Sequence, residues 1–239
     1  MTTVVGAFQE LDVDYDDTVA QRFYREVLAA SFASDELDDF DRFRRGILGK
    51  AEVPTLATVA LGRDAEILGG IVGEIYASAE TLLLAYIAVR PDIRAHGVGT
   101  ALIREAIPRW RERSDVSLAV AEVHDPRQWT GSVDAAAERL RFFDRVGARV
   151  LGTPFVQPAL KPGRSRVSGF LLLVFDSDLE REVPAARVAR FVRQYYAVAE
   201  GAEPPFDPQL AELLAFIERK PEIPVYPIAD YAKVPAHGF

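Results

Sequence analysis

The spacing of apolar residues changes several times along this chain, and each change marks a predicted element. In residues 18–28, Val19, Phe23, Val27 and Leu28 recur at helical spacing, and residues 40–48 predict a second, short helix. Residues 55–61 and 66–77 read as strands joined by the turn Gly62-Arg63-Asp64-Ala65. Gly69, Gly70 and Gly73 inside the second run predict a bulge. Residues 83–89 are mostly apolar and strand-length, and Pro91 cannot continue a ladder, so they predict a strand buried on both faces.

Beyond Pro91 the period becomes helical, with Val98, Leu102, Ala106 and Trp110 on one stripe. The predicted helix starts near Gly97 and runs to about residue 112, and Pro108 should kink it or bring its end forward. A strand at 116–123, a long connection over 124–132, a helix at 134–146 and strands at 149–156 and 167–175 follow. After residue 176 an apolar and aromatic stripe through Val188, Phe191, Val192, Tyr195, Tyr196 and Val198 predicts a helix, and residues 208–219 predict another. The tail is punctuated by Pro221, Pro224, Pro227 and Pro235.

The junction between the buried strand and the helix at Gly97 carries the clearest chemistry. The first N–H groups of a helix have no intrahelical partners, and with the positive end of the helix dipole they form an anion site. Gly97 and Gly99 lack a Cβ and let a phosphate approach the backbone, while Arg94 and the Thr100 hydroxyl can add hydrogen bonds. A Walker A string does not occur, and a Rossmann fingerprint would need a third glycine where Leu102 stands.

At these residues the chain resembles the GNAT superfamily of N-acetyltransferases, whose signature is Arg/Gln-x-x-Gly-x-Gly/Ala after a strand ending in a Val-x-Pro-like segment. Arg94, Gly97 and Gly99 match it, and the segment from Arg141 to Ala148 is similar to the family's later helix, which ends in an aromatic, charged residues and glycine. The resemblance covers roughly residues 18–175. It implies an α/β (α+β) fold with a mixed, mostly antiparallel central sheet flanked by helices. On this reading residues 1–176 form an acetyl-CoA-binding domain, and residues 177–239 are a helical C-terminal extension that could close over the site or mediate a homodimer. It also implies that Arg94, Ala95, His96, Gly97, Val98, Gly99 and Thr100 cradle the pyrophosphate of acetyl-CoA, and that the backbone of Ala88 and Val89 pairs with the pantetheine arm. The connection between the first two helices would border the acceptor site, where Asp35 and Glu36 could meet a cation.

Composition narrows the class. The chain has 239 residues, 49% hydrophobic and 27% charged, ordinary for a globular protein. No apolar run approaches the ~20 residues needed to span a bilayer, and the start lacks a leader pattern, so a cytoplasmic protein without a membrane partner is expected. With no cysteine there is no thiolate nucleophile, and acyl transfer must be direct or use another group. His96, His124 and His237 show no ligand spacing, so no metal is expected. A net charge of −8 argues against nucleic acid and mildly favours cationic acceptors.

The chemistry such an enzyme must supply is set by the amine. An alkyl ammonium with pKa near 10.4 exposes its lone pair at pH 7 at a cost of about 4.6 kcal/mol. The family's tyrosine, which protonates the leaving thiolate, is matched by Phe143, and the glutamate base of its histone-acetylating members falls at Leu83. Glu122 and His124, two apart on a strand and so on one face, are the candidate catalytic residues. Tyr86 and Glu74 are weaker candidates, and Trp129 could wall the acceptor channel. The function expected is direct acetyl transfer to a small-molecule amine. The alternative is an acyl-CoA-binding sensor or interaction module that has lost turnover.

Overall fold

A computed structural model describes residues 5–12, 17–34, 36–161, 163–175, 182–201 and 207–236. Asp35, His237 and the expected domain boundary at 176–177 lie outside them. Contacts divide the chain into two units, Met1–Ile75 with Leu82–Val116, and Tyr76–Thr81 with Ser117–Phe239.

The first unit runs β1 (Ala7–Leu11), α1 (Asp17–Phe23), a π-helical turn (Tyr24–Leu28), α2 (Ala29–Ser31), α3 (Phe40–Ile47), β2 (Thr55–Leu61), β3 (Ile67–Tyr76), β4 (Thr81–Val89) and α4 (Val98–Arg113). The sheet order is β1-β2-β3-β4, with β1–β2 and β2–β3 antiparallel. Phe23, Val27 and Leu28 from the first helical segment meet Phe43 and Ile47 of α3 and Val59, Ile67 and Val72 of the strands in one core. The helical stripe seen in residues 18–28 is therefore the buried face, as its spacing requires.

Three glycines let β3 be approached closely. A register shift opposite Ala60 and Leu61 places the bulge beside Gly69. A Cβ on Gly69 would lie 2.6 Å from the Ala88 carbonyl oxygen, and one on Gly73 would lie 2.8 Å from the Trp110 ring. At Gly70 the Phe23 ring fills that space. One glycine thus marks the bulge, while Gly70 and Gly73 admit aromatic rings. Pro108 does not shorten α4, which continues to Arg113. Both Pro108 and Arg104, whose carbonyl loses its partner there, are exposed, so water can satisfy that carbonyl.

The second unit holds β5 (Leu118–His124), α5 (Val133–Arg145), β6 (Arg149–Leu151), β7 (Phe155–Gln157), β8 (Val167–Val174), β9 (Glu182–Pro184), α6 (Ala185–Glu200), α7 (Pro208–Ile217), β10 (Glu222–Pro227) and a 3₁₀ helix (Ile228–Lys233). Strand order is β5-β8-β6-β10-β9, with β7 also on β8, and every one of these pairings is antiparallel. The single strand expected at 149–156 is two strands. The chain breaks after Gly152, whose N–H still donates to the Pro224 carbonyl of β10 at 2.7 Å, and Pro154 has no N–H to offer. The extension is helical in α6 and α7, and its proline-rich tail returns β10 to the sheet beside β6.

Among the described residues no helix is long and apolar enough to cross a membrane, and no group of three His, Cys, Asp or Glu could hold a metal ion.

Candidate active site

The expected anion loop leaves β4 at Val89 and passes through a 3₁₀ turn (Pro91–Ile93) before α4 begins. Gly97 is the N-cap, with φ of 83° in the left-handed region, and no side chain caps the helix. A Cβ placed on Gly97 would meet nothing within 4 Å, so the space beside this residue is open. Ala95 also has positive φ, at 66°, a conformation that strains a residue with a Cβ. Residues 94–97 are exposed, whereas Val98 and Gly99 are buried and Thr100 is half-buried. The turn is therefore exposed up to the N-cap and anchored by the buried first residues of α4.

Side chains brace this turn. Arg94 Nε donates to the Val89 carbonyl at 3.3 Å, tying the loop to the end of β4. His96 Nδ1 lies 3.1 Å and 2.9 Å from the carbonyls of Ile93 and Arg94. Both are acceptors, so Nδ1 carries the proton and donates. His96 thus holds the turn's shape with its ring. Ala88 is buried at the end of β4, pressed against Gly69, and Val89 is half-buried.

Two tyrosines organise the connection between α1 and α3 in the same unit. The Tyr86 hydroxyl donates to the Glu36 carbonyl at 3.1 Å and accepts from the Asp38 N–H at 3.3 Å. Tyr24, the first residue of the π turn, donates to the Asp38 carbonyl at 2.7 Å. Burial, with the nearby Asp38 charge, pushes the Tyr86 hydroxyl well above its usual range, so it stays protonated and serves as a brace. Asp39 caps α3 by accepting from the Arg42 N–H. Glu36 is exposed beside this braced segment.

Glu122 and His124 belong to the second unit and share one face of β5. Both are half-buried. Glu122 Oε2 accepts from Gln157 Nε2 at 2.7 Å and from the Tyr195 hydroxyl at 3.1 Å. His124 is stacked on Trp129, with ring centroids 3.4 Å apart, and touches Phe170 on its other side at 4.6 Å. Its Nδ1 is 3.4 Å from Arg139 Nη1. Arginine can only donate, so Nδ1 accepts and Nε2 carries the proton. Burial first, and then the Arg139 charge, push the imidazole pKa down to about 4, which keeps it neutral at pH 7. The intrinsic value near 6.5 that recommends a histidine as a base is not the value this site imposes.

The connection that follows β5 is clamped. Asp125 is fully buried and accepts from both the backbone and the guanidinium of Arg127, and from Gln128. Arg127 Nη1 also donates to the carbonyls of Ala232 and Val234 at 3.0 Å each, and its guanidinium lies 5.4 Å from the Tyr231 ring centroid. Sequence reasoning placed Trp129 in this connection but missed the Asp125–Arg127 clamp and the partners of Glu122. Tyr195 stood out only as part of an apolar stripe. Leu83 and Phe143, which the resemblance matches to a base and an acid position respectively, are both buried, and Phe143 packs on Phe175.

Antiparallel strands with helices, and an uncapped glycine-led helix after β4, define an α/β class of protein with a candidate anion-binding turn. Residues 22–129 match the family model described as the acetyltransferase (GNAT) family. Residues 22–129 therefore carry a GNAT acetyltransferase domain. Among solved structures the chain is similar to a protein of Bacteroides thetaiotaomicron assigned to the GNAT family, with 20% identity and a TM-score of 0.59 over 82% of this chain and 99% of that one. It is similar also to an assigned acetyltransferase of Acinetobacter baylyi, with 17% identity and a TM-score of 0.50 over 73% of this chain and 95% of the other. At these identities the likeness is one of fold. No curated protein sequence matches the chain.

Proposed function

We propose that this protein transfers an acetyl group from acetyl-CoA directly to the amine of a small molecule. The observation that carries the reading is the open space beside Gly97 at the uncapped N-terminus of α4, which suits a pyrophosphate held by backbone N–H groups. Residues 94–100 would hold that pyrophosphate, and the backbone of Ala88 and Val89 would align the pantetheine arm. In the reaction the amine nitrogen loses a proton and attacks the thioester carbonyl. The C–N bond forms, the C–S bond breaks, and CoA leaves as a thiolate that takes up a proton. Holding amine and thioester in near-attack geometry can contribute ~7–11 kcal/mol.

We assign the acceptor-side charge to Glu122, whose carboxylate accepts hydrogen bonds from Gln157 and Tyr195 and could meet an ammonium. His124 enters as its neutral neighbour, because an imidazole with pKa near 4 is a poor proton acceptor at pH 7. Residues 1–176 are read as the acetyl-CoA-binding domain and 177–239 as the extension. A cytoplasmic location and a homodimer belong to the same reading.

Calorimetric titration with acetyl-CoA, CoA and ATP tests the cofactor assignment, and both CoA species should bind while ATP does not. CoA release is then followed with spermidine, lysine, tyramine and glucosamine. Binding without turnover on such a panel would favour the second reading, an acyl-CoA sensor, which the buried Leu83 and Phe143 favour. No heat with acetyl-CoA would remove both.

A further inference from the structure

Two tyrosine hydroxyls from different elements converge on the main chain of one residue in the connection that leads into α3. The Tyr86 hydroxyl, from β4, accepts from the Asp38 N–H at 3.3 Å and donates to the Glu36 carbonyl at 3.1 Å. The Tyr24 hydroxyl, from the π turn, donates to the Asp38 carbonyl at 2.7 Å. Both main-chain polar groups of Asp38 are thus met by phenols, where a surface connection ordinarily gives them to water.

The rings that carry these hydroxyls are fixed in turn. Phe32, just after α2, meets Tyr86 edge-on with centroids 5.1 Å apart, and Phe40, the first residue of α3, meets Tyr24 edge-on at 5.4 Å. Phe43 of α3 lies 6.1 Å from Tyr24 and 6.3 Å from Phe40. All of these rings lie in or against the core of the first unit. A ring held in this way aims its hydroxyl at one place, and for both tyrosines that place is the backbone of residues 36–38.

The point of attachment on β4 gives the staple a role. Tyr86 and Ala88 are two apart on the strand and share a face. With the pyrophosphate on residues 94–100 and the pantetheine arm on Ala88 and Val89, the arm runs back along β4 from Val89 toward Tyr86, about 10 Å away at ~3.3 Å per residue. The thioester end of the arm therefore approaches the stretch of strand to which residues 36–38 are tied, and an amine that attacks it arrives beside them.

We propose that Tyr86 is a positioning residue for the acceptor: by holding the main chain at Glu36 and Asp38, its hydroxyl sets the wall against which the amine binds and leaves acetyl-CoA binding unchanged. This inference rests on the acetyl-CoA reading given above. Every residue in it belongs to the first unit. Tyr86 acts through the backbone of residues 36–38 and touches no reacting atom, its proton being engaged by the Glu36 carbonyl.

Tyr86→Phe keeps the ring against Phe32 and removes only the hydroxyl. Hydrogen exchange at the Asp38 amide should speed up about tenfold or more. The KM for the best amine of the panel should rise about fivefold, the scale of one neutral hydrogen bond. Neither kcat nor the calorimetric affinity for acetyl-CoA should change by more than about twofold. Tyr24→Phe loosens the same residue from its carbonyl side and should raise the amine KM alike, which keeps the test open if Tyr86→Phe does not fold. In the double variant the two effects should combine to less than their product, because both hydroxyls hold one residue. Faster exchange with an unchanged amine KM would make the staple purely structural and overturn the proposal. Unchanged exchange, or a matching loss of acetyl-CoA affinity, would overturn it too. A wild-type protein that binds no acetyl-CoA, or turns over no amine of the panel, would sink the acetyltransferase reading and this inference with it. That result is distinct from an active enzyme whose amine KM ignores the tyrosine.

Discussion

The imidazole of His124 lies face to face with the indole of Trp129, with centroids 3.4 Å apart and planes at 15°. Residue 124 ends β5, and residue 129 is held by the turn in which its N–H donates to the Asp125 carbonyl at 2.9 Å. A strand terminus and a clamped turn therefore meet as a stack, and the stack covers one face of the His124 imidazole.

That burial sets a pH dependence. The imidazole pKa is about 4 in the folded protein against 6.5 when unperturbed, so below 6.5 the unfolded chain takes up a proton that the native state does not. The contribution of His124 to stability is fully present above pH 6.5, declines below it and is gone once pH falls through about 4. Urea unfolding at pH 7 and pH 5 should show the loss. Trp129→Ala should return the His124 titration, followed by proton NMR, toward 6.5. An unchanged titration would mean that Arg139, the other neighbour lowering it, sets the value.

Gly97 should be indispensable for binding and dispensable for folding. Its φ of 83° makes Gly97→Ala cost about 1–2 kcal/mol of backbone strain, while nothing nearby would clash with the methyl group. Gly97→Glu adds a carboxylate where an anion is to bind, and acetyl-CoA affinity should fall by more than tenfold with the circular dichroism spectrum retained. Unchanged affinity would remove the pyrophosphate assignment.

The Asp125–Arg127 pair should be the costliest ion pair to break. Asp125 is fully buried, and the hydrogen bonds from Arg127 hold its carboxyl below the usual range although burial pushes it up. Arg127→Ala leaves that charge uncompensated and should destabilise the protein by about 3–5 kcal/mol in urea unfolding. Asp125→Asn in the same chain should recover part of the loss, since the remaining group is neutral. The three carbonyl and ring partners of Arg127 near residues 231–234 make the tail the first region to gain hydrogen exchange.

Gly70 tests the tolerance of β3. A methyl group there collides with the Phe23 ring, so Gly70→Ala should cost about 1–3 kcal/mol of thermal stability. Phe23→Leu in the same chain should restore part of it. The same substitution at Gly49, where φ is positive but the space is open, tests backbone strain alone.

What could be read from the sequence is what short-range physics writes into it. Apolar spacing announced α1, α3, α4, α5 and α6 because a helix must bury one stripe, and the run at 83–89 announced β4 because it is apolar, strand-length and closed by Pro91, although Ala85, Tyr86, Ile87 and Val89 are only half-buried. The Arg94–Thr100 turn was legible because a left-handed residue before a helix favours glycine, a local requirement. β1 escaped because five residues at a sheet edge, only one of them buried, need little apolar pattern. β10 escaped because its prolines argue against a strand, and only the neighbouring β6 and β9 show where its carbonyls are used.

The environment of the candidate catalytic residues was decided by tertiary structure. Nothing in the string around Glu122 says that Gln157 and Tyr195, 35 and 73 residues away, will donate to it. Nor does the string around His124 say that Trp129, Phe170 and Arg139 will lower its pKa. Residue type fixes which protons a side chain can carry. Desolvation and the charges of distant neighbours fix where it carries them, and both exist only once the chain has packed.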